Sequence, residues 1–280
     1  MPSQKSNYAR LDVFRRWYSL CFAAIFCLAL SACTQPPGAA RFIQYTEAFT
    51  ASRQASEALF DLLEVAERDQ ARLAYSAASA EFDPSRPYLY TNLSAPPLAR
   101  EYRASFDAIS QYNQLMVALI TGENAGVLTK QSYELATGAF ALAGTAISTE
   151  QLQGIVPVME IISTVAKDAL TGRDRRVFAE ELAQSSEAVI TLMRNIRSGG
   201  PLIYNMLRAA GGRADDATRR KLMADWLVLM DHNIETLQAA VNAAKNSSRA
   251  SVDLKAIQER LTELESVAES IKGSLAELAN

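Results

Sequence analysis

The sequence predicts an all-α fold: an elongated bundle of long antiparallel helices that ends in a C-terminal helical hairpin. Two observations carry this. From Arg41 onward apolar residues recur at spacings of three and four, and nowhere do they alternate convincingly with polar ones as a half-buried strand requires. Glycine and proline are also scarce, 12 and 9 in 280 residues, while alanine, leucine, glutamate and serine abound. Alanine, leucine and glutamate lose little conformational freedom on entering a helix, so the bias favours helix over the whole chain.

The elements follow in order. A first helix is expected over about 41–80, with Phe42, Tyr45, Phe49, Leu59, Leu62, Ala66 and Leu73 along its apolar face. Asp83-Pro84-Ser85-Arg86-Pro87 ends it, because proline lacks the amide a helix needs. Residues 83–97 form the longest break, with four prolines, Tyr88 and Tyr90. A second helix starts near Pro97 and places Leu98, Tyr102, Phe106, Ile109, Tyr112, Met116 and Ile120 on one side. Gly122 and Gly126 bound a turn.

The next stretch, 127–170, is the most apolar of the chain and reads as two nearly uncharged helices packed as a central core hairpin. Its members include Ala139, Phe140, Leu142, Ala143, Ile155, Val156, Val158, Ile161 and Ile162, and Gly154 and Pro157 invite a kink in its second helix. Gly172-Arg173-Asp174 stops that helix and caps the next, expected over 175–197 and ended by Gly199-Gly200-Pro201. A short helix over 202–210 leads to Gly211-Gly212.

The last two helices have the sharpest periodicity. Met223, Trp226, Met230, Ile234, Leu237, Val241 and Ala244 face Leu254, Ile257, Leu261, Leu264, Ala268, Ile271, Leu275 and Leu278 across a coiled-coil seam. Asn246-Ser-Ser-Arg-Ala250 is the hairpin turn between them.

Charge separates the N-terminus from the rest. Lys5, Arg10, Arg15 and Arg16 stand against one acid, Asp12, in the first 32 residues. Of 28 basic and 31 acidic residues this leaves 24 and 30, a net charge of −6 from residue 33 onward. A mildly acidic domain lacks the basic stripe that nucleic acid requires, so no nucleic-acid partner is expected. All three cysteines, Cys21, Cys27 and Cys33, also lie at the N-terminus. The remaining residues hold no thiol, hence no disulfide and no thiolate site.

After the basic segment, residues 17–32 (WYSLCFAAIFCLALSA) form an uncharged apolar run of 16. That is short for a membrane-spanning helix, which needs about 20 residues, and suits a secretion-signal core. The run closes on Leu30-Ser31-Ala32-Cys33, which resembles position by position the lipobox of bacterial lipoprotein precursors. The resemblance implies cleavage before Cys33, a diacylglyceryl thioether on its sulfur and acylation of its new amine. It implies a cell-envelope location on a stable lipid anchor, since two or more acyl chains hold where one is marginal. Thr34, in the position where an aspartate favours inner-membrane retention in enterobacterial lipoproteins, points to the periplasmic face of the outer membrane. The domain organisation that follows is a cleaved signal over 1–32, a lipidated cysteine and tether over 33–40, and one helical bundle over 41–280.

Catalytic constellations are sparse. The lone histidine, His232, sits three residues before Glu235 and next to Asp231, half of a metal site at most, whereas a di-iron bundle needs two Glu-x-x-His pairs. No Gly-x-Ser-x-Gly elbow, Walker loop or Gly-x-Gly-x-x-Gly is present. Glu180, Glu181 and Glu187 read as a solvated helix face, and Gly199-Gly200 and Gly211-Gly212 as helix stops. No catalytic residue, metal or cofactor is expected beyond the covalent lipid on Cys33. The candidate interaction loop is the 83–97 stretch with Arg86, Tyr88 and Tyr90, because exposed aromatics and arginine in a loop suit binding.

The expected function is therefore non-enzymatic: a lipid-anchored bundle that binds or scaffolds another envelope protein. One alternative is a small-ligand binder or hydrolase that uses carboxylates and tyrosines inside the bundle. Another is a protein that inserts 127–170 into a membrane.

Overall fold

The computed structural model describes residues 36, 38–78, 81–121, 150–170, 176–210 and 216–246, with short helical stretches between 259 and 274. The N-terminal signal, Cys33, the 127–149 segment and the 247–250 turn lie outside the described residues. From Gly38 onward the described residues belong to one compact unit, Pro37–Asn280.

Among the described residues six α-helices carry the fold: α1 (Ala39–Ala78), α2 (Pro97–Thr121), α3 (Glu150–Leu170), α4 (Arg176–Ser198), α5 (Gly200–Ala209) and α6 (Asp216–Lys245). A 3-10 turn, Pro87–Leu89, lies between α1 and α2, and the described residues contain no strand. The all-α bundle expected from periodicity is what forms. No described helix is long and apolar enough to cross a membrane.

α1 packs on α2, α5 and α6, and α4 packs on α2, α3, α5 and α6. α1, α2, α4 and α6 thus surround a common core, with α3 laid against α2 and α4, and α5 against α1 and α6. α2 and α6 both run antiparallel to α1. Glu67 meets Leu98 while Arg53 meets Asp107, and Ser56 meets Trp226 while Gly38 meets Ala244.

The core is aromatic at its centre. Phe42, Tyr45, Phe49 and Phe60 of α1, Tyr102, Phe106 and Tyr112 of α2, Phe178 of α4 and Trp226 of α6 are all fully buried. Phe60 lies edge-on to Phe106 at 5.4 Å and stacks on Tyr102 at 5.5 Å, and Phe42 meets Phe178 across α1 and α4 at 5.6 Å. Such offset and edge contacts add about 0.5–1.5 kcal/mol each beyond area burial. Two of these rings bond across helices: Trp226 Nε1 donates to Ser56 Oγ at 3.1 Å, and Tyr112 Oη and Ser185 Oγ are 2.8 Å apart. Burial raises the Tyr45 and Tyr112 phenols well above their ordinary pKa, so both stay neutral. Buried Ser52, Ser56 and Ser105 bond the carbonyl four residues earlier in their own helices, which lets small hydroxyls enter the core satisfied.

The seven apolar positions expected on α2 and the seven expected on α6 are all buried. The α6 residues also belong to a core shared with several other helices. Trp226 alone touches Ser56 of α1, Tyr102 of α2 and the Gly200 region of α5, so α6 faces a shared core. Of the expected partner helix, Ala268 and Ile271 enter that core. Ser270 is gripped by α6, accepting from Lys221 Nζ at 2.5 Å and donating to Asp225 at 2.8 Å. Residue 270 opposite 221 and 225 is the register a hairpin turning at 246–250 produces. Leu254, Ile257, Leu261, Leu264, Leu275 and Leu278 lie outside the described residues.

Three local expectations are corrected. Leu73, placed by periodicity on the apolar face of the first helix, is 67% exposed, because α1 extends past the bundle core before it ends. The break at Gly199-Gly200-Pro201 is a single residue long: Gly199 separates α4 from α5, and Pro201 sits in the first turn of α5, where no amide bond is required of it. α3 is not buried all round. Ile155, Val158, Met159, Ile162, Val165 and Ala166 face the core, while Val156 and Glu160 face outward.

Two glycines set close approaches. Gly154 lets α3 lie on α4, since a Cβ there would come within 2.8 Å of Asn195 Nδ2 and 3.2 Å of Leu192 Cδ1. Gly38 has φ +78°, accepts the first α1 amide bond from Phe42, and would bring a Cβ within 2.7 Å of the Ala244 backbone nitrogen. Gly38→Ala therefore adds left-handed strain of about 1–2 kcal/mol before any steric conflict with α6. The expected result is a thermal midpoint lowered by about 2–8 °C for a domain of this size. An unchanged midpoint would show that the start of α1 is not docked on the end of α6.

Candidate interaction site

The segment between α1 and α2 holds the three residues singled out by sequence, Arg86, Tyr88 and Tyr90, and the structure brings them together in one closely bonded loop. The loop begins with an Asx turn. Asp83 Oδ1 accepts from the Ser85 amide at 2.9 Å and the Ser85 hydroxyl at 2.5 Å, and its carboxylate pairs with Arg86 Nε at 3.4 Å. The Ser85 bonds, helped by the Arg86 charge, hold the Asp83 carboxyl below its ordinary range. Pro87 then presets the 3-10 turn, in which Leu89 N bonds Arg86 O and Tyr90 N bonds Pro87 O. This turn drives Leu89 into the core, its side chain 4% exposed.

Tyr90 closes the loop on itself. Its hydroxyl accepts from the Asp83 amide at 2.9 Å, and its ring meets Phe82 at 4.8 Å and Tyr75 of α1 at 6.3 Å. A bond with the Tyr75 hydroxyl holds the Tyr90 phenol above its ordinary pKa. Arg86 is exposed and Tyr88 half-buried; Tyr88 serves through its backbone carbonyl.

Residues of α1 that sequence reasoning did not single out fasten the loop. Arg68 is buried. Its Nε donates to Tyr88 O at 3.1 Å, and its Nη2 donates to Glu64 at 2.6 Å and to Ser94 O at 3.4 Å. Arg72 Nε donates to Leu89 O at 2.7 Å. Glu67 reaches the start of α2 and accepts from the Leu98 and Ala99 amides at 2.9 and 3.0 Å. With Pro96 before it, α2 has no capping side chain of its own there, and a carboxylate from α1 supplies the acceptor and complements the helix dipole. The only signal in the sequence was the spacing Glu64-Arg68-Arg72, which looks the same on any solvated helix face.

A charged strip continues along α1 and α2. Arg103 donates to Glu57 at 3.2 Å, Asp61 at 2.6 Å and Glu64 at 2.7 Å, and Arg53 pairs with Asp107. At Glu64 burial opposes ionisation, but hydrogen bonds and charge from Arg103 and Arg68 outweigh it and hold the carboxyl below its model-peptide value of 4.5. A depressed folded pKa gives stability that is present above the unfolded value and lost as pH falls through the folded one. Glu67 has the opposite sign: burial outweighs its amide bonds and raises its pKa, so its contribution falls as pH rises through that value. The unfolding free energy of Glu64→Gln, measured between about pH 3 and 5, is expected to fall less steeply with acid than that of the parent. Parallel curves would remove Glu64 from the acid response.

Between these bonded groups the loop also shows apolar side chains to the solvent. Phe82, 70% exposed, lies against Tyr90, and Leu93, three residues further on, is 98% exposed. Adjacent exposed apolar side chains such as Phe82 and Tyr90 suit a contact surface.

The other residues considered from the sequence stand apart from this loop. His232 is half-exposed on α6 and its carbonyl accepts from Thr236, while Asp231 is engaged by Arg197 at 2.5 and 2.8 Å. Glu180 accepts from Gln184 and Glu187 from Arg194 on the outer side of α4. Among the described residues no three His, Cys, Asp or Glu side chains gather as a metal site would require. Comparison with protein-family models, curated proteins and solved structures returns no match.

Proposed function

We propose that this chain is a lipid-anchored cell-envelope protein, non-enzymatic, whose helical bundle binds another envelope protein through the 81–96 loop. The observation that carries the binding role is the exposed aromatic pair Phe82 and Tyr90, with Leu93 exposed three residues on, held on a loop braced by the bonds that Asp83 makes with Ser85 and Tyr90. Aromatic anchors on a preorganised backbone lose little conformational entropy on binding, and this makes an ordered loop a better docking element than a free one. The anchor rests on the sequence: the basic start, the 16-residue apolar run and the Leu30–Cys33 motif. Cys33 carries the lipid, the periplasmic face of the outer membrane is the site of attachment, and no cofactor takes part.

The test places a photo-crosslinking residue at Leu93 in the anchored protein in cells, with exposed Val228 of α6 as the comparison position. One envelope protein captured from Leu93 and not from Val228 is the expected result. Equal or diffuse capture from both positions would sink the binding role. Cys33→Ser serves as the anchor arm: an uncleaved precursor without lipid label is expected, and normal processing of that variant would refute the lipoprotein assignment.

A further inference from the structure

We draw no further inference here: the strongest candidate, the exposed apolar side chains of the loop between α1 and α2, Phe82 and Tyr90 with Leu93, belongs to the surface already described, and nothing in the structure shows what covers it.

Discussion

Replacing Trp226 with alanine is expected to lower the thermal midpoint by about 6–20 °C, the largest effect of any single core change. The ring is fully buried and serves three neighbours at once. Its Nε1 donates to Ser56 of α1, its edge meets Tyr102 of α2 at 6.4 Å, and it passes 3.7 Å from where a Cβ on Gly200 of α5 would stand. Truncation leaves a cavity that helices held by their other contacts cannot close, and large aromatic-to-alanine changes in cores cost about 3–5 kcal/mol. For a domain of this size each kcal/mol moves the midpoint by about 2–4 °C, and this gives the range stated. Trp226→Phe keeps most of the volume and loses the N–H, so only about 1 kcal/mol is expected from it. Calorimetry on the parent and both variants checks the ordering. Equal losses for Ala and Phe would mean that the hydrogen bond to Ser56, not the packing, holds this part of the core.

Arg68→Ala is expected to release the loop while the bundle stays folded. The guanidinium ties Glu64 of α1 to the carbonyls of Tyr88, inside the 3-10 turn, and of Ser94, five residues beyond it. Its removal strips two loop carbonyls of their donor and leaves Glu64 with Arg103 alone. Breaking a buried ion pair costs about 3–5 kcal/mol when the partner is left unpaired. Glu64 retains one arginine, so about 3 kcal/mol or less is expected, concentrated in the loop. Lysine cannot substitute, because it lacks the planar fork that serves an acceptor on each side. Hydrogen exchange should then show faster exchange at the Leu89, Tyr90 and Thr91 amides, with the amides of α4 and α6 unchanged. The Leu93 crosslink should weaken in the same variant. Loop amides protected as in the parent would mean that Leu89 burial and Arg72 suffice to hold the turn. A retained crosslink on a released loop would separate binding from preorganisation.

The interior faces of the helices were readable because burial imposes a periodicity of 3.6 on every helix that packs. Each of the seven apolar residues expected on α2 and on α6 is buried, and the chain turns where Pro84, Pro87 and the Pro96-Pro97 pair deny the backbone a donor. Periodicity failed at the ends of elements. Leu73 continues the apolar spacing of α1 past the point where other helices cover it, and spacing carries no record of where a neighbour stops. Gly199 and Gly200 look like one stop in sequence, yet Pro201 is as well suited to opening a helix as to ending one, and packing of α5 against α1 and α6 decided the matter.

Arg86, Tyr88 and Tyr90 could be found from sequence because prolines and aromatics outside a helix are conspicuous. What each does could not. Tyr88 contributes a carbonyl, Tyr90 a ring and a hydroxyl that close the loop, and the residues that present them, Glu64, Glu67, Arg68 and Arg72, lie about 20 residues earlier on α1.

The sequence by itself determined the helical class, the positions that turn inward and the Cys33 motif, because periodicity, turn chemistry and a contiguous signal are all local properties of a chain. Only the tertiary structure decided that α6 faces a core shared with several other helices, that Arg68 is buried beneath the loop, and that Leu93 and Phe82 stand exposed. Those outcomes depend on which distant segments meet, and a side chain's burial and hydrogen-bond partners come from its neighbours in space, which spacing along one helix does not specify.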